Sequence, residues 1–301
     1  MMNYTIAQES RIGGRSINQD RATWLATEDA VLMVVADGMG GHLQGEVAAQ
    51  IAVDTLTERF RSEAKTRLAD PAGFLAATLQ QAHDTIVRYS TDCRILPHAA
   101  PRTTCIACVV QDGQAIWAHA GDSRLYLIHS HAEGPARVAQ TRDHSIVQRM
   151  VDQGAISDAE AASHPLRNRV FSCLGGDVPP HIEVSPAMTL RDGDLIALCT
   201  DGAWSPLGET LVAELGRASP DTTVPRLLDA AERAAGPGAD NLTLITMRWE
   251  AHDPDADTNT LDRRPAEQKT ATETPISDED IENAIATIRR RIPLTPNGAS
   301  S

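Results

Sequence analysis

The stretch VVADGMGGHLQGEVA, Val34 to Ala48, ends a short apolar run on an acid, adds four glycines and a histidine, and passes into a helical pattern. The acid recurs. IWAHAGD ends at Asp122, DLIALCTD ends at Asp201 just before Gly202, and GADNLTLITM sets Asp240 ahead of another apolar run. One Asp beside Gly is ordinarily a turn former. Four acids at the ends of core strands are different, because sheets can bring strand ends together. Clustered carboxylates repel unless protonated or neutralised by cations, and hard oxygen donors suit Mg²⁺ or Mn²⁺ rather than thiolate-preferring metals. A multinuclear metal site follows as a hypothesis. Glycines beside Asp37 let the backbone come close, so the Gly38 carbonyl can serve as a ligand where a side chain would obstruct. Two ions sharing Asp37 could hold a bridging water, lower its pKa and aim the hydroxide at a phosphorus atom.

These acids need strands to carry them. Residues 3 to 8, 21 to 27 and 30 to 36 read as short strands by alternation or by compact apolar runs. Val47, Ala48, Ile51, Ala52, Leu56 and Phe60 recur at helical spacing, and a second helix follows with Phe74, Leu75, Leu79, Ala82, Ile86 and Tyr89. Strands are expected at about 105 to 111, 114 to 120 and 124 to 129, the first two joined by a turn at Asp112-Gly113. Helical patterns return in HSIVQRMVDQGAI and at 224 to 235, and strands at about 182 to 189, 194 to 200 and 242 to 249 complete the domain. Runs of strands separated by helix pairs predict two mostly antiparallel sheets with helices outside, an α/β (α+β) four-layer α-β-β-α sandwich over residues 1–250.

From Ala251 to Pro275 the sequence loses its large apolar residues and reads as a flexible linker. In the tail, 276–301, Ser277 could cap a short helix with Ile281, Ile285, Ile288 and Ile292 on one stripe, whose partner the sequence does not name.

Composition narrows the function. A formal charge of −14 disfavours nucleic acid or an anionic membrane as partner, and suits a site gathering acids around cations. No apolar run approaches the roughly 20 residues of a membrane span, and MMNYTIAQES lacks a basic-then-apolar signal, so a cytoplasmic location is expected. Five cysteines form no disulfide framework. Cys105 and Cys108 are spaced C-x-x-C, but an extended strand turns residues three apart to opposite faces.

The segments ESRIGGRSINQDR, VADGMGGHLQGE, HAGDSRLYL, TRDHS, LCTDGAW and ADNLTLI, in that order over about residues 4 to 248, resemble the PPM-type (2C class) metal-dependent protein serine/threonine phosphatases, especially bacterial members. The resemblance implies that Asp37 bridges two metals, Mn²⁺ or Mg²⁺, with the Gly38 carbonyl on one and Asp201 and Asp240 on the other. Asp122 with Asp201 would hold a third ion. Asp20 would accept hydrogen bonds from metal-bound water, Arg15 would hold the phosphate, and Gln19 and Asn241 would stand just outside the ligands. The segment 145–176 corresponds to the flap of bacterial members, a candidate for substrate selection. Phosphorylated proteins are the implied substrates, and a bacterial serine/threonine kinase the implied opponent.

This sequence also departs from the family pattern. Gln19 stands where many members have Glu. Met39 follows the DG where eukaryotic relatives carry a histidine, so His42, three residues on, is the candidate general acid. His119 and His144 read as packing or hydrogen-bonding residues, and Cys173 in FSCLGG has no role. A dinucleotide-binding reading of the glycine turn fails, because the third glycine of G-x-G-x-x-G would fall at Leu43. The alternative function is a catalytically inactive phosphoprotein-binding scaffold of the same fold, a reading opposed by the intact Asp37, Asp201 and Asp240.

Overall fold

The computed structural model describes residues 2–39, 44–131 and 134–250. The expected linker and tail helix, and His42, lie outside the described residues.

Three strands open the chain: β1 (Asn3–Arg11), β2 (Asp20–Ala26) and β3 (Ala30–Met39). Two long helices follow, α1 (Gly45–Glu63) and α2 (Pro71–Asp92); Pro71 sits in the first turn of α2, and the Asp70 side chain accepts from the Gly73 amide at 3.0 Å. Next come β4 (Arg102–Thr103), β5 (Cys105–Gln111), β6 (Gln114–Ala120), β7 (Arg124–His131) and β8 (Gly134–Gln140). The β5–β6 turn has positive φ at both Asp112 and Gly113, 52° and 66°, as a tight two-residue hairpin requires. The remaining elements are α3 (Ile146–Asp152), α4 (Asp158–Ser163), β9 (Glu183–Val184), β10 (Met188–Thr189), β11 (Leu195–Cys199), α5 (Asp201–Trp204), α6 (Glu209–Leu215), α7 (Pro220–Ala235) and β12 (Leu242–Glu250).

One sheet runs β1-β12-β11-β7-β8 and the other β10-β6-β5-β3-β2, with β4 on β3 and β9 on β6; all the paired strands are antiparallel. The continuous apolar run of β3 is buried on both faces. Val31, Met33 and Val35 join Leu125, Leu127, Ile196, Leu198 and Ile245 between the sheets, while Leu32, Val34 and Ala36 pack with Ala48, Leu56 and Leu79 of α1 and α2. On the outer face of the other sheet, Leu211 and Leu215 of α6 and Leu227 and Leu228 of α7 cover Ile128, Ala197 and Leu244. These three apolar layers hold four layers of secondary structure together, α-β-β-α. Cys105 faces the helices and Cys108 faces the other sheet, so the C-x-x-C spacing is two core packing positions.

Three local differences from the sequence reading have physical causes. β3 continues past Asp37 to Met39 because β4 pairs with Gly38 and Met39. The strand expected at 182 to 189 breaks into two-residue pieces, since Pro186 cannot donate to a ladder. Strand β8 and helix α6 escape pattern reading, as neither offers a long apolar period.

Candidate metal centre

The strand ends deliver their acids to one place. Asp20 opens β2 and Asp37 lies near the end of β3, in register with it. Asp201 begins α5 directly after β11, Asp240 precedes β12, and Asp122 occupies the β6–β7 turn. Burial pushes the Asp37 carboxyl well up, and the charges of Asp20, Asp201, Asp122 and Asp240 push it further. Asp20 is raised to about 7, chiefly by burial, despite hydrogen bonds from Thr243 and Thr200. Asp201 is raised to about 6 by burial and by Asp240, against a hydrogen bond to Asp37 and the Gly202 amide. Asp122 is raised by burial, then by Asp201 and Asp143. These four carboxyls are thus raised by burial and by nearby acids, the signature of crowded like charge.

Backbone approaches backbone closely here. A Cβ on Gly38 would lie 2.3 Å from the Gly45 carbonyl oxygen, and one on Gly202 would lie 2.1 Å from the Asn241 carbonyl oxygen. Behind Gly38, the Asp37 carbonyl accepts from the Thr104 amide at 2.9 Å and the Thr103 hydroxyl at 2.8 Å. The end of the 145–176 segment is fastened to the same place, because Thr103 and Leu174 exchange backbone hydrogen bonds of 3.1 and 2.8 Å.

Arg15 rides on the β1–β2 loop and donates from Nη2 to Asp240 Oδ2 at 2.6 Å. Asn241 holds that loop. Its Nδ2 donates to the Ile12 and Ile17 carbonyls at 2.9 and 3.0 Å, and its Oδ1 accepts from the Gln19 amide at 2.9 Å. Gln19 Nε2 donates to Glu46 Oε2 at 3.0 Å, a bond that a carboxylate at position 19 could not make. Sequence reasoning missed three partners in these contacts. Glu46 sits within the VADGMGGHLQGE motif, and Thr200 and Thr243 lie within LCTDGAW and ADNLTLI; both hydroxyls donate to Asp20 Oδ2, at 2.9 and 2.7 Å. The signal available was a hydroxyl near a strand-end acid, Thr200 one residue before Asp201 and Thr243 three after Asp240.

A divalent ion fits this donor set. Asp20 Oδ1 is buried without a hydrogen-bond partner, an acceptor with nothing to accept from. Hard carboxylate oxygens dominate, and Gly38 bares its backbone. Among the described residues, the one set of three His, Cys, Asp or Glu donors lying within 4.8 Å of one another is elsewhere, and Asp240 is paired with Arg15. His119 and His144 are buried, with His119 Nε2 on the Arg142 carbonyl at 2.9 Å and His144 Nδ1 accepting from the Gly121 amide at 3.3 Å. Cys173 has its thiol raised by burial.

The class to which this sandwich with acids at its strand ends belongs follows from its likeness to known proteins. The family model for protein phosphatase 2C matches residues 7–220. The serine/threonine phosphatase stp of Listeria monocytogenes serotype 4b (strain F2365) is 30% identical over 236 residues, covering 77% of this chain and 90% of that protein. Among solved structures, the Mycobacterium tuberculosis serine/threonine phosphatase PstP/Ppp superposes with a TM-score of 0.69 at 30% identity, covering 82% of this chain and 99% of that one. A PstP catalytic domain in complex with two manganese ions gives a TM-score of 0.64 at 28% identity, covering 82% and 99%. The chain belongs to the protein phosphatase 2C family and is a phosphatase. Among the described residues, no helix is long and apolar enough to cross a membrane.

Proposed function

We propose that the chain removes phosphate from phosphoserine and phosphothreonine of proteins with two divalent ions, Mn²⁺ or Mg²⁺, opposing a serine/threonine kinase in a bacterial cytoplasm. The observation that carries this reading is the crowding of Asp20, Asp37, Asp122 and Asp201, whose carboxyls are all raised by burial and by neighbouring acids. Asp37 would be shared between the ions, the Gly38 carbonyl would serve one, Asp201 and Asp240 the other, and Asp122 with Asp201 a third. Bound there, the ions would supply the Lewis acidity that makes water a nucleophile at neutral pH.

The protein's own groups do the positioning. Thr200 and Thr243 occupy Asp20 Oδ2, which leaves Oδ1 as the acceptor for a proton of the attacking water. Arg15 uses Nη2 on Asp240, so its Nε and Nη1 remain to grip phosphate oxygens. His42 is the proposed donor of the proton that the departing serine or threonine oxygen takes. Burial pushes the thiols of Cys105, Cys108 and Cys199 up, against a cysteine nucleophile.

The test is phosphate release from a phosphothreonine peptide with Mn²⁺, with chelator, and for Asp201→Asn. Turnover that needs both the metal and Asp201 supports the reading. Folded protein without turnover would favour the scaffold alternative.

A further inference from the structure

A second convergence of donors lies beyond Gly121 from the acids. His119 is the penultimate residue of β6, His144 precedes the Ser145 cap of α3, and Glu183 opens β9 directly opposite His119. One donor atom from each lies within 4.8 Å of the other two. His119 is 1% and His144 4% exposed, yet His119 Nδ1 and His144 Nε2 have no hydrogen-bond partner. Two orphaned ring nitrogens at one spot need a reason, because buried polar atoms are otherwise nearly always bonded. Glu183 Oε2, 3.6 Å from His144 Nε2, is too far to satisfy it. A cavity of about 160 Å³ opens over the group, lined by His144, His181, Glu183 and Phe171 together with Arg142 and Arg149. The two arginines are engaged elsewhere, Arg149 over the Phe171 ring at 4.3 Å and Arg142 with Asp152.

We propose that His119 Nδ1, His144 Nε2 and the Glu183 carboxylate bind one Zn²⁺-class transition-metal ion, apart from the acid cluster. Two imidazoles and a carboxylate are the donors such ions prefer over Mg²⁺, and a fourth position stays open toward the cavity for water. Burial holds both rings neutral, the charge state ligation needs. The Arg142 carbonyl fixes His119 with its proton on Nε2, leaving the Nδ1 lone pair for the ion. His144 has to change more. Its Nδ1 now accepts from Gly121, which places the ring proton on Nε2; ligation moves that proton to Nδ1, gives up the Gly121 bond, and turns the ring off its stack with His119. The ring loses no net proton. The Glu183 side chain, 52% exposed, is free to close the remaining distance.

The test is Zn²⁺ titration of the full chain in excess Mg²⁺, followed calorimetrically. Beyond any Zn²⁺ that the acids take in place of Mg²⁺, one further Zn²⁺ per chain is expected for the wild type and for Asp201→Asn, with at least about tenfold weaker binding of it for Glu183→Gln and its loss for His119→Gln. Glu183→Gln changes a surface group and keeps the test decisive if His119→Gln does not fold. Equal affinity in Glu183→Gln and wild type overturns the site, as does loss in Asp201→Asn alone, which would place the ion on the acids. Absence of Zn²⁺ binding by the wild type overturns it as well.

Discussion

Asp20 and Asp37 stand directly opposite each other across the β2–β3 pair, like charge facing like charge in register. Such pairs destabilise a sheet, and both carboxyls sit above the ordinary range, Asp20 at about 7. The folded chain therefore binds these protons more tightly than the unfolded chain. That contribution is complete below the unfolded value near 4 and is lost as pH rises through about 7. In chelator, the melting temperature at pH 8 is expected to fall at least about 3 °C below that at pH 5.5, with excess Mn²⁺ restoring it mainly at pH 8. Thermal melts at the two pH values check this, and an apo profile that is flat or rises with pH contradicts it.

Arg15 separates a catalytic contribution from a structural one. Its pair with Asp240 is largely in solvent, so Arg15→Ala should change unfolding free energy by less than about 1 kcal/mol. Phosphopeptide kcat/KM should fall about tenfold or more, through loss of the phosphate grip. Unchanged kinetics would remove Arg15 from the site.

Thr243→Val tests the hold on Asp20. One of two hydroxyl donors disappears from Oδ2, at a cost of about 1–3 kcal/mol in urea unfolding. Mn²⁺ affinity should weaken about tenfold with it, as for groups that orient a ligand's surroundings. A stability loss without any change in metal affinity would make the threonine purely structural.

Gly202→Ala meets backbone, which cannot step aside: the new Cβ would be 2.1 Å from the Asn241 carbonyl oxygen. A loss of more than about 2 kcal/mol is expected, along with weakened metal binding, because Asp201 and Asp240 flank the contact. Gly113→Ala is the control. It has open space but a φ of 66°, so it should cost about 1 kcal/mol and leave metal affinity alone.

The strand-end acids were legible because each sits where an apolar run stops or, for Asp240, is about to start, a pattern that survives without knowledge of pairing. Their neighbours were harder to see. Nothing in the string says that Thr243 turns toward Asp20, 223 residues away, or that Gln19 meets Glu46, since those contacts follow from sheet docking. His119 and His144 were read as packing or hydrogen-bonding residues, and their bonds to Arg142 and Gly121 fit that reading; their two unpartnered nitrogens, and the nearness of Glu183, appear only in three dimensions. Strand β8 was missed because its residues alternate too weakly to signal a buried face.

Asp20 belongs to one sheet, and the threonines that grip it belong to the end of β11 and to β12 in the other. These bonds close loops of 180 and 223 residues, among the slowest contacts a chain can make. A molecule whose sheets have formed but not yet met would own every acid and still lack a centre. The hold on Asp20 is therefore a product of the two sheets docking and not of either sheet alone.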